Sequence, residues 1–390
     1  GIALGASTFD VKQVEVLRGP QGTLYGANAL AGLINIVSND PTEDFYSEIS
    51  GSISEFGGKD FGVIISNSND NNFGYRLGFK NSKSDGFIKN IFLNRDDTND
   101  INETISRAKF TKNNDSTKLI LNIFYADIDN GYDAFSLDNT RTTYSDEPGY
   151  DRQRTTAVST KIEKILRNSD AIEILASFAD SELGYAYDED WSNTGICDKT
   201  PCDSKLFGFD WWYSSFDSFN RDNKNHSIDL RYISNSKNIN WVIGLYNRDQ
   251  DINLIRKYTY LQNDFKSSFD TRNSAIYGQF TNNLSGKIKF QAGLRYEDRK
   301  AYYLDNNGPV PEGFFCIAIY PRPDSCLFDN NYSKSENFWG GQISLQNQIN
   351  KNSMIYALLS RGYKPGGVNI DGQIRQENLN YDSETMWNYE

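Results

Sequence analysis

The chain has 390 residues, 52 acidic against 40 basic side chains and a formal net charge of −12, without a long Lys/Arg run, which excludes a nucleic-acid phosphate backbone as partner. Aromatic side chains make up 14% of it, with 24 Tyr and 24 Phe against 2 Met and 1 His, a balance that favours pleated sheet over helix. No stretch approaches about 18 consecutive apolar residues, so no membrane-spanning helix is expected; strands of a transmembrane barrel, about 9–11 alternating residues each, remain compatible with the composition.

The first element is "VEVLRGPQGTLYGANALAGLINIV", residues 14–37. Val14 and Val16 alternate with Glu15, and Leu33 to Val37 form a β-branched apolar run, so both flanks read as strands. Between them Gly19-Pro20 punctuates the chain, and Gly22 and Gly26 permit a positive φ or a close backbone approach. A phosphate loop does not fit. No Lys-Ser or Lys-Thr follows the last glycine, and the spacing is not G-x-G-x-x-G, so a tight turn is the reading from shape alone.

From Phe45 onward the sequence alternates with period two. Phe73, Tyr75, Leu77 and Phe79 share one face against Arg76 and Lys80; Ile288 to Tyr296 alternate with Lys289, Gln291 and Arg295. The signal recurs about thirteen or fourteen times. Short Asn, Asp, Ser and Gly turns lie at 69–72, 113–116, 167–170, 235–238, 284–287 and 350–353. Long loops lie between them, at 84–100, 129–154, 182–223, 250–271, 300–334 and 363–382. Short turns at one end and long loops at the other fit an outer-membrane barrel, which must also close because lipid offers no partner to an open strand edge. The polar set, with Arg76, Lys80, Lys289, Gln291, Arg295, Glu297, Gln342, Ser344 and Gln346, is expected to face the lumen and the aromatic set the lipid. Trp241, Tyr246, Trp339, Tyr356, Tyr363 and Trp387 are candidates for the interfacial girdles.

Two loops carry candidate contact residues. The stretch 182–223 holds Tyr185, Tyr187, Trp191, Trp211, Trp212 and Tyr213 around Cys197 and Cys202; the stretch 300–334 holds Tyr320 and Arg322 around Cys316 and Cys326. Rigid rings at such density suit a ligand-binding surface, and packing against neighbouring loops is the alternative. Each close cysteine pair reads as a local disulfide of an oxidising compartment, with unpaired thiols and then metal as the other readings. Asp133, Asp138, Asp146, Glu147 and Asp151 read as a solvated surface, with calcium as the rival. His226, the sole histidine, has no nucleophile motif beside it, so no enzyme is expected.

"VEVLRGPQGTLYGANALAGLINIVSNDP" resembles the end of the plug domain of TonB-dependent receptors, and "YALLSRGYKPGGVN" (356–369) and "YDSETMWNYE" (381–390) resemble late barrel segments of the siderophore-receptor-like branch. The resemblance implies an all-β fragment: residues 1–42 as the C-terminal part of a plug, and 43–390 as roughly the first fourteen strands of a transmembrane antiparallel barrel of about 22. Gly1 without an initiator Met, and Thr385–Glu390 opening a further strand, read as an internal fragment.

The same resemblance implies an active-transport receptor in the outer membrane of a Gram-negative bacterium. It would bind a ferric siderophore, or a carbohydrate or other small nutrient, and import it with energy from the TonB-ExbB-ExbD complex reached through a missing N-terminal region. Outer-membrane lipid is the other partner, and no cofactor or metal is implied. Glu15, Arg18, Gly19, Pro20, Gly22 and Gly26 would form the plug-barrel contact and gate, with Arg18 clamping carboxylates of the inner wall. A passive porin or surface adhesin is the rival of another class.

Overall fold

The computed structural model describes the chain except residues 1–6, 28, 71, 134, 138, 167–169, 197–212, 237, 262, 307–329 and 370–379. The two apolar flanks of the opening stretch pair as an antiparallel hairpin, β1 (Val11–Arg18) with β2 (Gly32–Ser38), in register from Val14 opposite Ile36 to Arg18 opposite Gly32. Their connection is wider than the tight turn expected. It holds one helical turn, α1 (Gly22–Tyr25), bracketed by Gly19 and Gly26 at φ +73° and +77°, where a side chain would be strained.

In chain order there follow β3 (Tyr46–Ile53), β4 (Lys59–Ser68), β5 (Phe73–Ser84), β6 (Lys89–Asn90), β7 (Ile101–Asn114), β8 (Thr117–Tyr132) and β9 (Thr142–Thr143). Next come β10 (Gly149–Ile165), β11 (Ala171–Asp188), β12 (Phe216–Asn235), β13 (Ile239–Tyr258), β14 (Phe265–Asn283) and β15 (Ile288–Asp305). Last are β16 (Asn330–Asn350), β17 (Ser353–Lys364), β18 (Gly367–Val368), β19 (Asn380–Tyr381) and β20 (Glu384–Tyr389). Leaving out the two-residue ladders β6 with β9 and β18 with β19, fourteen strands form one meandering antiparallel sheet from β3 to β20.

The asymmetry of the connections holds: β7 and β8 are joined across two residues and β16 and β17 across two, whereas β11 and β12 are separated by residues 189–215. The strands run further than their hydrophobic pattern suggests. The stretch 250–271 shrinks to 259–264, and Tyr185 and Tyr187 belong to β11 rather than to a loop. Past the apolar segment the backbone ladder continues while cross-strand ion pairs replace apolar side chains, as in Arg152 with Asp129 at 2.6 Å and Arg272 with Asp249 at 2.5 Å. Period two is then polar on both faces and reads as loop.

Residues 7–41 touch both ends of this sheet. Asp10 meets Arg76 on β5 and Ser7 accepts from Arg107 on β7, while Pro20 and Leu30 lie against Gly362 on β17 and Gly19 against Asn388 on β20. Strands at opposite ends of the order can share one small partner only if the sheet rolls round it. The concave face is the polar one: Arg76, Arg295 and Glu297 are 8%, 2% and 1% exposed. The convex face is apolar and open, with Ile243, Leu294 and Ile343 more than half exposed. Such inverted burial is that of a barrel wall in lipid, not of two stacked sheets with an apolar interior.

Two girdle candidates belong on the other face. Tyr363 is buried and donates to Glu297, and Tyr246 lies under the Arg295 guanidinium, so both rings face inward. Trp339, Tyr356 and Trp387 are exposed, with Trp339 and Trp387 edge to face at 5.8 Å.

Candidate functional site

The N-terminal segment is seated by charges that the wall supplies as cations and the segment as acceptors. Arg76 donates to both carboxylate oxygens of Asp10, with the closest approach at 2.6 Å and both side chains buried. Lys109 reaches Asp40 at 3.0 Å and the Ser38 carbonyl at 3.2 Å, and Arg107 donates to the Ser7 carbonyl at 2.7 Å. A fork held on two oxygens fixes orientation as well as distance.

Opposite this anchor, α1 rests on β14 to β17. A Cβ built on Gly26 would lie 2.9 Å from the guanidinium carbon of Arg295, and one on Gly22 would sit 3.7 Å from the Arg361 carbonyl. Arg295 donates to Glu297 Oε2 at 2.8 Å, which also accepts from Tyr363 at 2.9 Å, while Asn273 donates to Oε1 at 2.7 Å. The network continues round the wall. Tyr277, whose ring faces Arg295, donates to Asp229 at 2.7 Å and accepts from Arg231 at 2.7 Å; Arg231 reaches Glu173, which Lys161 also pairs. Each charge is therefore compensated, which is what allows so many to be buried in one band.

Above the segment lies an inner cavity of about 330 Å³, with Tyr25 and Ala27 in its floor. Arg221, Arg248, Arg295, Arg299 and Lys364 line it, and Glu297 is the single carboxylate among the described lining residues. Among the described residues Arg248 donates to the amide oxygens of Asn225 and Gln250, at 3.0 and 3.1 Å. The cavity is thus cationic, with Tyr246, Phe269 and Tyr303 as flat walls.

Towards the long loops a second cavity of about 500 Å³ is lined by Phe135, Leu183, Tyr185, Tyr187, Trp191 and Phe219, together with Asp151, Arg152, Gly184 and Arg221. Trp191 stacks on Phe135 at 4.8 Å and has φ +61°, a conformation rare for a bulky residue. Asp188 holds it there by accepting from its N–H at 3.2 Å, and Asp190 accepts from the Ser215 N–H at 2.8 Å. Burial, and then Asp190 and Asp146, push the Asp188 carboxyl well above the ordinary carboxylate range; burial, and then the charge of Asp146, raise that of Asp190.

Of the residues singled out in the sequence, Gly19, Pro20, Gly22 and Gly26 come together against β15 to β17 and β20. Glu15 instead accepts from Asn35 at 2.8 Å within the hairpin, and Arg18 is exposed and makes no ion pair among the described residues. Tyr187 and Trp191 line the outer cavity, Tyr187 donating to Asp217 at 3.4 Å; Tyr213 lies 6.3 Å from the Tyr260 ring. Trp211, Trp212, Tyr320, Arg322, Cys197, Cys202, Cys316 and Cys326 lie outside the described residues, as does Asp138. His226, exposed on β12, faces the Phe178 ring at 5.4 Å. The sequence reading missed Asp10 and the cavity arginines Arg221, Arg248 and Arg299. Inward alternation marks Arg221 and Arg299 as wall residues, but nothing local tells a paired arginine from an unpaired one.

Residues 54–390 match the family described as TonB dependent receptor-like, beta-barrel. Among curated proteins, the pesticin receptor of Yersinia enterocolitica is 53% identical over 45 residues, 12% of this chain and 7% of that protein. Among solved structures, the ferric yersiniabactin uptake receptor FyuA from Yersinia pestis superposes with a TM-score of 0.79 at 19% identity, over 97% of this chain and 56% of FyuA. The siderophore receptor PiuA from Acinetobacter baumannii does so with a TM-score of 0.73 at 14% identity, over 98% of this chain and 59% of PiuA. The chain thus spans little more than half the length of the receptors whose fold it shares. With an apolar convex face, a polar lumen and a match over residues 54–390, the chain belongs to the TonB-dependent receptor β-barrel family of the Gram-negative outer membrane.

Proposed function

We propose that this chain is part of an active-transport receptor that captures an anionic metal chelate, in the first place a ferric siderophore, and imports it with energy transmitted by TonB-ExbB-ExbD. Residues 1–42 act as the end of a plug and 43–390 as the first fourteen strands of the barrel. The inner cavity carries the reading: among the described residues, five cationic side chains line it against one carboxylate, directly over the N-terminal segment. A ferric chelate with carboxylate or catecholate oxygens presents the acceptors that arginine forks match. The names of FyuA and PiuA, a ferric yersiniabactin uptake receptor and a siderophore receptor, support the same ligand class.

The floor of the cavity is the segment that must move. Its seat combines a buried ion pair at Asp10 with close glycine packing at Gly22 and Gly26, so a pull from the periplasmic side would release discrete contacts rather than stretch a continuous interface. A passive porin has no use for such an occupant of its lumen.

The aromatic outer cavity favours a second reading, a receptor for carbohydrate, because flat rings also bind sugar faces. Radio-iron uptake decides between them. Cells with the complete receptor should accumulate iron from anionic chelates only when TonB is functional; uptake of oligosaccharide with no iron accumulation would replace the ferric reading with the carbohydrate one.

A further inference from the structure

Arg221 on β12 lines both the outer aromatic cavity and the inner cationic one. Several arginines of the wall are held by carboxylates, Arg76 by Asp10 at 2.6 Å, Arg231 by Asp229 at 2.7 Å, Arg256 by Asp217 at 2.7 Å and Arg295 by Glu297 at 2.8 Å, while Arg107 and Arg248 donate to uncharged oxygens. Among the described residues Arg221 has neither kind of partner. Its Nε is buried without a hydrogen-bond acceptor, and no carboxylate lies within ion-pairing distance among the described residues. Its register neighbours, Leu183 on β11 and Leu254 on β13, offer none either. A buried guanidinium N–H left unsatisfied is costly, and an anion arriving in either cavity would supply the missing acceptor.

We propose that Arg221 is the residue that selects anionic chelates and hands them from the outer cavity to the inner one. The two cavities differ in what they offer a ligand. The outer one is mainly ring surface, with Asp151 opposing Arg152; the inner one adds Arg248 and Arg299. A chelate stacked on Tyr185 and Trp191 therefore gains charge compensation by moving inward, and Arg221 can hold its oxygens throughout that move. The guanidinium stays charged at any working pH, and its long stem lets the fork turn between cavities while β12 stays fixed. A neutral chelate makes no such use of it. The inference rests on the ferric-chelate reading and adds to it the sign of the ligand's charge and the residue that senses it.

The test uses the complete receptor in cells, with an anionic ferric tris-catecholate and a charge-neutral ferric tris-hydroxamate as radio-iron probes. Heat-modifiable mobility on gels checks that each variant is folded. Arg221→Gln should slow import of the tris-catecholate at subsaturating concentration by at least about tenfold, in line with the loss of one charge-assisted contact, and slow hydroxamate import far less. Arg221→Lys, which keeps the charge but loses the fork, should fall between the two. Equal import of the anionic probe by wild type and Arg221→Gln would overturn the role of Arg221, as would an equal loss for both probes. A wild-type receptor that imports neither probe would overturn the ferric-chelate reading itself.

Discussion

At the scale of single residues, the seat of the N-terminal segment depends on what is absent at Gly26. Its φ of +77° and the Arg295 guanidinium 2.9 Å from a built Cβ leave no room for a methyl group. Gly26→Ala should loosen the segment by about 1–2 kcal/mol, the cost of a left-handed L-residue, before any displacement of Arg295 is added. Hydrogen exchange in the complete receptor reads this directly: amides of residues 19–31 should lose about tenfold protection or more, and unchanged protection would contradict the packing described. The sequence marks Gly19, Gly22 and Gly26 as positions of backbone freedom, because only glycine serves a positive φ cheaply. It does not mark what they press against. Asn388, Arg361 and Arg295 are hundreds of residues away, and only the rolled sheet brings them near. A separation of 66 residues likewise hides the partner of Arg76, which looks in sequence like any inward cation until Asp10 meets it.

The elements divide into those that local pattern reveals and those that it does not. Period two and the Asn, Asp, Ser and Gly turns identify the strands, since alternation of lipid-facing and lumen-facing residues is what a barrel wall requires. Strand ends escape, because beyond the lipid the ladder is lined by ion pairs such as Arg152 with Asp129 and the alternation of hydrophobicity is lost. The segment after β11 has a further property. Asp188 is pushed up to about 8, first by burial and then by Asp190 and Asp146, and Asp190 is raised with it. The folded segment therefore keeps a proton that the unfolded one gives up near pH 4, so its stability is complete in acid, falls as pH rises between about 4 and about 8, and levels off above. Exchange protection of residues 189–196, corrected for the intrinsic rate, should decline over that range, and Asp188→Asn should flatten the decline. Protection that rises with pH, or an undiminished decline in the variant, would exclude Asp188 as the source.

The molecule as a whole inverts the burial of a soluble protein. Arginine, aspartate and glutamate are packed inside, against one another and against residues 7–41, while Ile243, Leu294 and Ile343 face outward. That arrangement is legible in the alternation, and it explains why low overall hydropathy coexists with a membrane wall. The cationic cavity over the N-terminal segment is not legible, since its walls come from β12 to β15, β17 and the chain that follows β17, and its cations from four different strands. The lumen is then a stack of three layers: aromatic rings, a cationic cavity rich in arginine, and a segment bolted to the wall by Asp10 and Arg76.

On the proposed reading, import through this lumen requires the bottom layer to leave its seat. Asp10→Cys and Arg76→Cys, joined by a short bis-maleimide in the complete receptor, pose that requirement most directly, with the unbridged double variant as reference. The bridge should form in the outer membrane, leave capture of ferric chelate at the surface unchanged, and stop TonB-driven import. Import at the reference rate with the bridge intact, or thiols too far apart to be joined, would contradict the seat and its release.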